Sequence, residues 1–370
     1  MGRTFLQLTW LIVMLLGLPL LGVILLGKGI SIYLEFPPRT IHLSPAPFSW
    51  SAFAFYALFT SVLLSPFVRH GLRKPGVALK NRISAPFPWW GYLGIFLGGT
   101  LWILAWTRFA WFKPFQPFTF TPLWVGYILS VNALTFRRKG HCLLLDSPSS
   151  LLLLFPSSAA FWWLFEYLNR FVQNWCYTGV EFSPLEYFFY ASLSFSTVLP
   201  AFASTREWLT SFSALEPFRS FLPLRTARPT RIALLTLVAA GTGLLLLGIY
   251  PDYLFPLLWI SPLLILVSLQ ALMREVHVFS PLSHGDWRGV LTSALAALVC
   301  GFFWELWNYY SLAKWVYQIP FVQHLQLFEM PLLGYAGYLP FGVACAVVVE
   351  MVLTRNGKCR QTSTNSRQTS

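Results

Sequence analysis

The sequence predicts an all-α integral membrane protein of about ten transmembrane helices, in which two parallel four-helix repeats follow a leading helix pair. Three observations predict it. Of the 370 residues, 56% are hydrophobic and only 11% charged, whereas about a quarter of the residues in a soluble globular domain are charged. Apolar runs close to the ~20 residues needed to cross a bilayer recur along the chain. A set of Glu, Asn, Trp, Tyr and Leu-Pro positions also occurs twice, with Glu166 and Asn169 answered by Glu305 and Asn308.

The first run, 5–26, follows Arg3 and lacks a small-residue cleavage site, so it reads as a retained helix and not as a signal peptide. Further runs lie at 50–68, 89–112, 121–136, 151–172, 186–203, 231–250, 254–273, 289–309 and 331–353. Pro200 is expected to kink the run at 186–203, and Gly94-x-x-x-Gly98 fits close helix packing. The runs group into a leading two-helix segment (1–82), repeat A (83–205), a basic cytoplasmic linker (206–230), repeat B (231–354) and a polar tail (355–370) expected to be disordered. The linker sets Trp208, Phe212 and Phe218 among arginines, which suits either an amphipathic helix on anionic headgroups or a plain charged loop.

The net charge of +13 follows the topology, since 20 of the 26 Lys and Arg residues fall on one side of the alternating runs. The positive-inside rule then predicts a multi-pass protein of the inner (plasma) membrane with both termini cytoplasmic, and the pattern is not a nucleic-acid footprint. Five Cys without a CxxC pair and six His without ligand spacing predict neither a disulfide framework nor a metal site. The sequence names no cofactor: Walker, GxSxG and strand-linked GxGxxG motifs are missing.

The duplicated positions carry the chemistry. Three-residue spacing puts Glu166 with Asn169, and Glu305 with Asn308, on one helical face near the extracytoplasmic helix ends. Trp175 and Tyr177 follow in the first copy and Trp315 and Tyr317 in the second, and Glu186 and Glu329 open the next helix of each unit. The four carboxylates are candidate catalytic groups, and the two amides with the four aromatics are candidate substrate contacts. A carboxyl near hydrocarbon is costly to charge and can hold a proton, as a general acid must. The same residues also suit plainer roles: Glu and Asn can bond neighbouring helices, Trp and Tyr can sit in an interfacial belt, and Glu186 and Glu329 can answer a helix dipole.

Trp175-Cys-Tyr177 followed by Pro184-Leu-Glu186-Tyr-Phe-Phe189 resembles the small membrane lycopene cyclases of carotenoid biosynthesis. In that family a Trp-x-Tyr precedes Pro-x-Glu-Glu running into Phe-Phe; here the second Glu is Tyr187, and the second unit reads Glu329-Met-Pro331. The resemblance implies acid-initiated chemistry on a lipid-soluble isoprenoid or polyene, with Glu186 as proton donor and aromatic faces stabilising a cation. Besides this carotenoid-cyclase-like activity, the residues leave open a transporter or lipid-handling protein and an assembly or scaffold subunit of a membrane complex, whose protein partner the sequence does not name.

Overall fold

The computed structural model describes residues 2–73 and 85–368, with side chains at 2–5, 8 and 355–368 left aside. Eleven helices of twelve or more residues make up nearly all of the architecture: α1 (Gly2–Leu25), α2 (Trp50–Arg73), α3 (Trp89–Trp106), α4 (Phe120–Lys139), α5 (Pro148–Val172), α6 (Pro184–Phe195), α7 (Val198–Leu209), α8 (Pro229–Leu247), α9 (Leu257–Leu272), α10 (Arg288–Tyr309) and α11 (Tyr338–Gln368). Sheet is confined to two short antiparallel pairs, β1 (Trp175–Thr178) with β2 (Lys314–Tyr317) and β3 (Gln326–Leu327) with β4 (Met330–Pro331).

Six helical stretches among the described residues are long and apolar enough to cross a membrane: Trp50–Arg73, Trp89–Trp106, Pro148–Val172, Pro229–Leu247, Arg288–Tyr309 and Leu332–Thr354. The expectation of ten is therefore not met. Thr9–Leu25 and Leu257–Leu272 are apolar but shorter, and α4 loses apolarity to Asn132, Thr135 and the closing Arg137-Arg138-Lys139. The run at 186–203 is two helices, broken at Ser196 and Thr197. Pro200 is not the breaker: it lies in the first turn of α7, where its missing N–H has no helical partner to lose. The linker holds a 3₁₀ turn at Ser213–Ser220 and no long amphipathic helix, because Pro217 and the docking of Trp287 N onto Phe218 O set its path. Helix α11 runs from Tyr338 to Gln368, and no Pro interrupts 355–368.

The packing pattern occurs twice. Helix α3 lies on α4 as α8 lies on α9, and α5 meets α7 as α10 meets α11. Across these groups α7 touches α10, and α11 touches α5. The core between them is aromatic. Trp124 of α4 packs on Trp304 and Trp307 of α10 at 5.2 and 5.1 Å between ring centroids, and Trp259 of α9 stacks on Phe165 of α5 at 5.3 Å. Buried polar groups between helices are bonded to each other: Asn132 donates to Ser204 Oγ at 2.8 Å, and Tyr127 pairs with Thr205 at 2.8 Å. Helix α2 buries no residue. It meets the rest through His70 and Phe67 near one end, on Pro217 and Phe221, and through Tyr56 on Phe255 nearer the other.

Small residues let α3 and α4 approach closely. A Cβ on Gly126 would come within 2.8 Å of Gly98 N and 3.0 Å of Gly94 O, so the spacing read as a packing signal in α3 meets its partner glycine in α4. Gly126→Leu is expected to force the two helices apart and lower stability by about 1–3 kcal/mol or more, the scale of an overpacked contact. Thermal unfolding in mild detergent measures this, and unchanged unfolding would show that the two backbones do not meet.

Candidate functional site

Helices α5 and α10 each bury a Glu in their last two turns, Glu166 at 3% and Glu305 at 0% relative exposure. A carboxyl in such a position needs donors, and the chain supplies them by turning back. Asn169 Nδ2 donates to Trp175 O at 2.8 Å, and Asn308 Nδ2 donates to Trp315 O at 2.7 Å. In return the Trp175 and Trp315 amides donate to the two Asn Oδ1 atoms at 3.4 and 2.9 Å. Each amide side chain thus acts as a strand neighbour that fixes the returning backbone, although the loop is one residue longer in the second copy.

The two returning segments are β1 and β2, paired antiparallel with Trp175 opposite Tyr317, Cys176 opposite Val316 and Tyr177 opposite Trp315. The pairing points Tyr177 OH at Glu166 Oε1 at 2.6 Å and Tyr317 OH at Glu305 Oε1 at 2.7 Å. Burial and the neighbouring carboxyl push both phenols well above their usual range, so both stay donors.

The copies then diverge. Glu166 Oε1 also accepts from Trp162 Nε1 at 3.0 Å and Trp175 Nε1 at 3.1 Å. Among the described residues every donor to Glu166 reaches Oε1, and none reaches Oε2. In the second copy the position matching Trp162 is Gly301, and the space is filled by Tyr338, whose ring would lie 2.6 Å from a Cβ on Gly301. Tyr338 OH donates to Glu305 Oε1 at 2.8 Å, while Trp315 Nε1 donates to Tyr317 OH at 2.9 Å instead of to the carboxyl. Glu305 Oε2 is buried with no partner among the described residues. A Trp and a small residue (Trp162, Val198) have exchanged sizes with a Gly and a Tyr (Gly301, Tyr338).

The consequence is one cavity of about 490 Å³ on the Glu166 side. Glu166, Asn169, Trp175, Tyr177, Trp315 and Tyr317 all line it, as expected of candidate site residues, whereas Glu305 and Asn308 lie behind the wall. Glu186 and Glu329 are not on the wall. Glu186 is exposed and closes a capping box, accepting from Ser183 N at 2.9 Å and Ser183 Oγ at 2.7 Å. Glu329 is ion-paired with Lys314. The four carboxylates therefore do not converge at the cavity, and Glu186 caps the start of α6.

The sequence reading passed over three contributors to the site. Arg170, one residue after Asn169, lines the cavity and donates to Tyr33 O at 3.0 Å. Tyr187, the departure from the Glu-Glu motif, lines it with a buried hydroxyl that has no partner among the described residues. Residues Pro37–His42 form a strap along the cavity wall, pinned by Gln173, whose Oε1 accepts from His42 N and Leu43 N at 3.0 and 2.9 Å and whose Nε2 donates to Thr40 O at 2.9 Å. The Arg170 and Tyr187 signals lay inside the motifs, but nothing local ties residues 37–42 to Gln173. Outside the cavity, His141, Asp146 and Glu207 bring ligand atoms within 4.8 Å of one another, which no local spacing showed. Glu207 Oε2 there accepts from Leu143 N at 2.8 Å, and His141 pairs with Asp146, so structural bonds already use the group.

Asn308→Leu is expected to strand the Trp315 N–H and carbonyl at about 1–3 kcal/mol each, with Asn308→Asp intermediate because it keeps the acceptor. Thermal unfolding of the two variants checks the order. A second outcome concerns pH. Burial holds the His42 imidazole below its ordinary value of 6.5, and its Nε2 is buried without a partner among the described residues. The unfolded chain therefore takes up the proton first on acidification, so strap docking is fully present above about 6.5 and is lost as pH falls through the lower folded value. Hydrogen-exchange protection of residues 39–43, taken relative to intrinsic rates at each pH, should fall with acidification in the wild type and stay flat in His42→Phe. Comparison with protein-family models, curated proteins and solved structures finds no match for this chain.

Proposed function

We propose that this is a multi-pass membrane protein that holds a lipid-soluble isoprenoid or polyene against Glu166, which donates and recovers a proton in the reaction. One observation carries the reading: a carboxyl with all its protein donors on Oε1 stands on the wall of an aromatic cavity with its second oxygen unclaimed. General acids need a fixed position and one free oxygen, and three donors on a single atom supply the first while sparing the second. Trp162, Trp175, Trp304 and Trp315 on the wall give the polarisable surround that a cationic intermediate requires.

The duplicated packing, the two Asn clasps and the β1–β2 register support an origin in two parallel four-helix units, with α6 and α7 together as the fourth member of the first. The mid-residues Cys176 and Val316, which face each other, occupy matching places in the two copies. That is the arrangement made by a local twofold along the membrane normal. The charge distribution supports cytoplasmic termini, an inner (plasma) membrane location and a site on the opposite side. Asn132, Ser204, Tyr127 and Thr205 bond each other across helices, which favours helix packing over a polar path through the bundle and weakens the transporter reading.

In a polyene-producing host, Glu166→Gln is expected to reduce product about 10²–10⁴-fold, the range supplied by general acid catalysis. Glu186→Gln should leave turnover intact. Chromatography of host extracts reads both, and wild-type product from Glu166→Gln at equal expression would end the acid-chemistry reading.

A further inference from the structure

Helices α4 and α6 both contribute to the wall of the cavity. Phe120 of α4 and Tyr190, Ala191 and Ser194 of α6 line it, and the side-chain hydrogen bond recorded across the seam is Thr121 Oγ1 to Ser194 Oγ at 3.4 Å. Phe118 and Tyr190 close the seam above it with ring centroids 4.4 Å apart. Tyr190 belongs to both sides, lining the cavity while 37% exposed. The outer face of α6 is apolar and open, with Leu185 at 66% and Phe189 at 59% exposure. Its far end is free of helical continuity, because the chain breaks at Ser196 and Thr197 before α7 begins.

Polar and apolar groups share the cavity wall: Glu166, Arg170 and His42 line it together with Ala191, Phe195 and Val198. A space of about 490 Å³ suits a drug-sized ligand and not a long chain. A longer molecule with its polar end at Glu166 must project somewhere, and the seam is the apolar way out.

We propose that the cavity takes a membrane amphiphile, one small polar head on one long apolar chain, through the α4–α6 seam, with the head beside Glu166 and Arg170 and the chain left projecting into the bilayer. This rests on the reading of Glu166 as the group that meets a lipid-soluble ligand, but it concerns entry and shape and not the reaction. Helix α6 swings about the break at Ser196 and Thr197, and the weak Thr121–Ser194 contact and the Phe118–Tyr190 stack part.

The test is a Thr121→Cys, Ser194→Cys double variant of the full chain in lipid nanodiscs, probed with a diazirine-bearing long-chain alcohol and mapped by mass spectrometry of the labelled peptides. Under reducing conditions label is expected on Trp162 and Trp304, as in the wild type. After oxidation that label should be lost, while label on the outward residues of α2 is unchanged. Equal cavity labelling in the two states, or label confined to outward residues in the wild type, would overturn the proposal. If the double variant fails to label like the wild type when reduced, Ser194→Trp, which fills the seam, must lose the same cavity label with α2 unaffected. Glu166→Gln separates the two ideas: cavity labelling that persists and still depends on the seam supports entry whatever happens to turnover, and turnover unaffected by this substitution counts only against the acid chemistry.

Discussion

Burying a carboxyl inside an apolar helical bundle is the constraint on which the rest of this structure depends. Water is unavailable to Glu166 and Glu305, and helical backbone has no spare N–H so far from the helix start, so donors must arrive from elsewhere in the chain. The solution is the same in both halves. An Asn one turn further along the helix clasps the chain as it comes back, and a Tyr two residues into the returning strand reaches the carboxyl. Each carboxyl takes its donors from its own half, and the β1–β2 pairing then ties the two assemblies together. Trp259 on Phe165 and Trp124 on Trp304 repeat this exchange deeper in the core.

From this shared plan the two sites part by an exchange of volume. Trp162 reaches its carboxyl from within its own helix, whereas Gly301 leaves the corresponding space to Tyr338 from a neighbouring helix. The first arrangement brings its donors along the helix and leaves room in front of Glu166; the second fills that room with a ring. Two copies of one motif thus differ at two matched positions, so that one carboxyl lines the cavity while the other is closed off by a ring.

Much of the site was legible because the spacing of Glu and Asn follows from helical periodicity and the Trp-x-Tyr from strand alternation, both of which are local. Glu166, Asn169 and the four aromatic positions on the cavity wall came from that reasoning. Glu186 and Glu329 were misjudged because type and helix-end position alone do not say whether an acidic residue looks inward; Ser183 and Lys314 decide that, and they do so through geometry. The span count failed for a related reason. Hydropathy runs do not register the break at Ser196 and Thr197 or the shortness of α9, which are settled by packing. Tyr338 lies in the second copy's Leu-Pro segment, and only the cavity at Gly301 reveals what it is for.

The strand pairing also has a bearing on the making of the protein. A chain emerging from the ribosome delivers its N-terminal half first, and at that stage Glu166 has Trp162, Trp175 and Tyr177 as donors but lacks Trp259, Trp304, Trp315 and Tyr338, which close the space around it. The opposing strand follows 136 positions behind Thr178, at Lys314. The half-made protein therefore presents an open carboxyl pocket to its surroundings, and enclosure of that pocket coincides with arrival of the last helices.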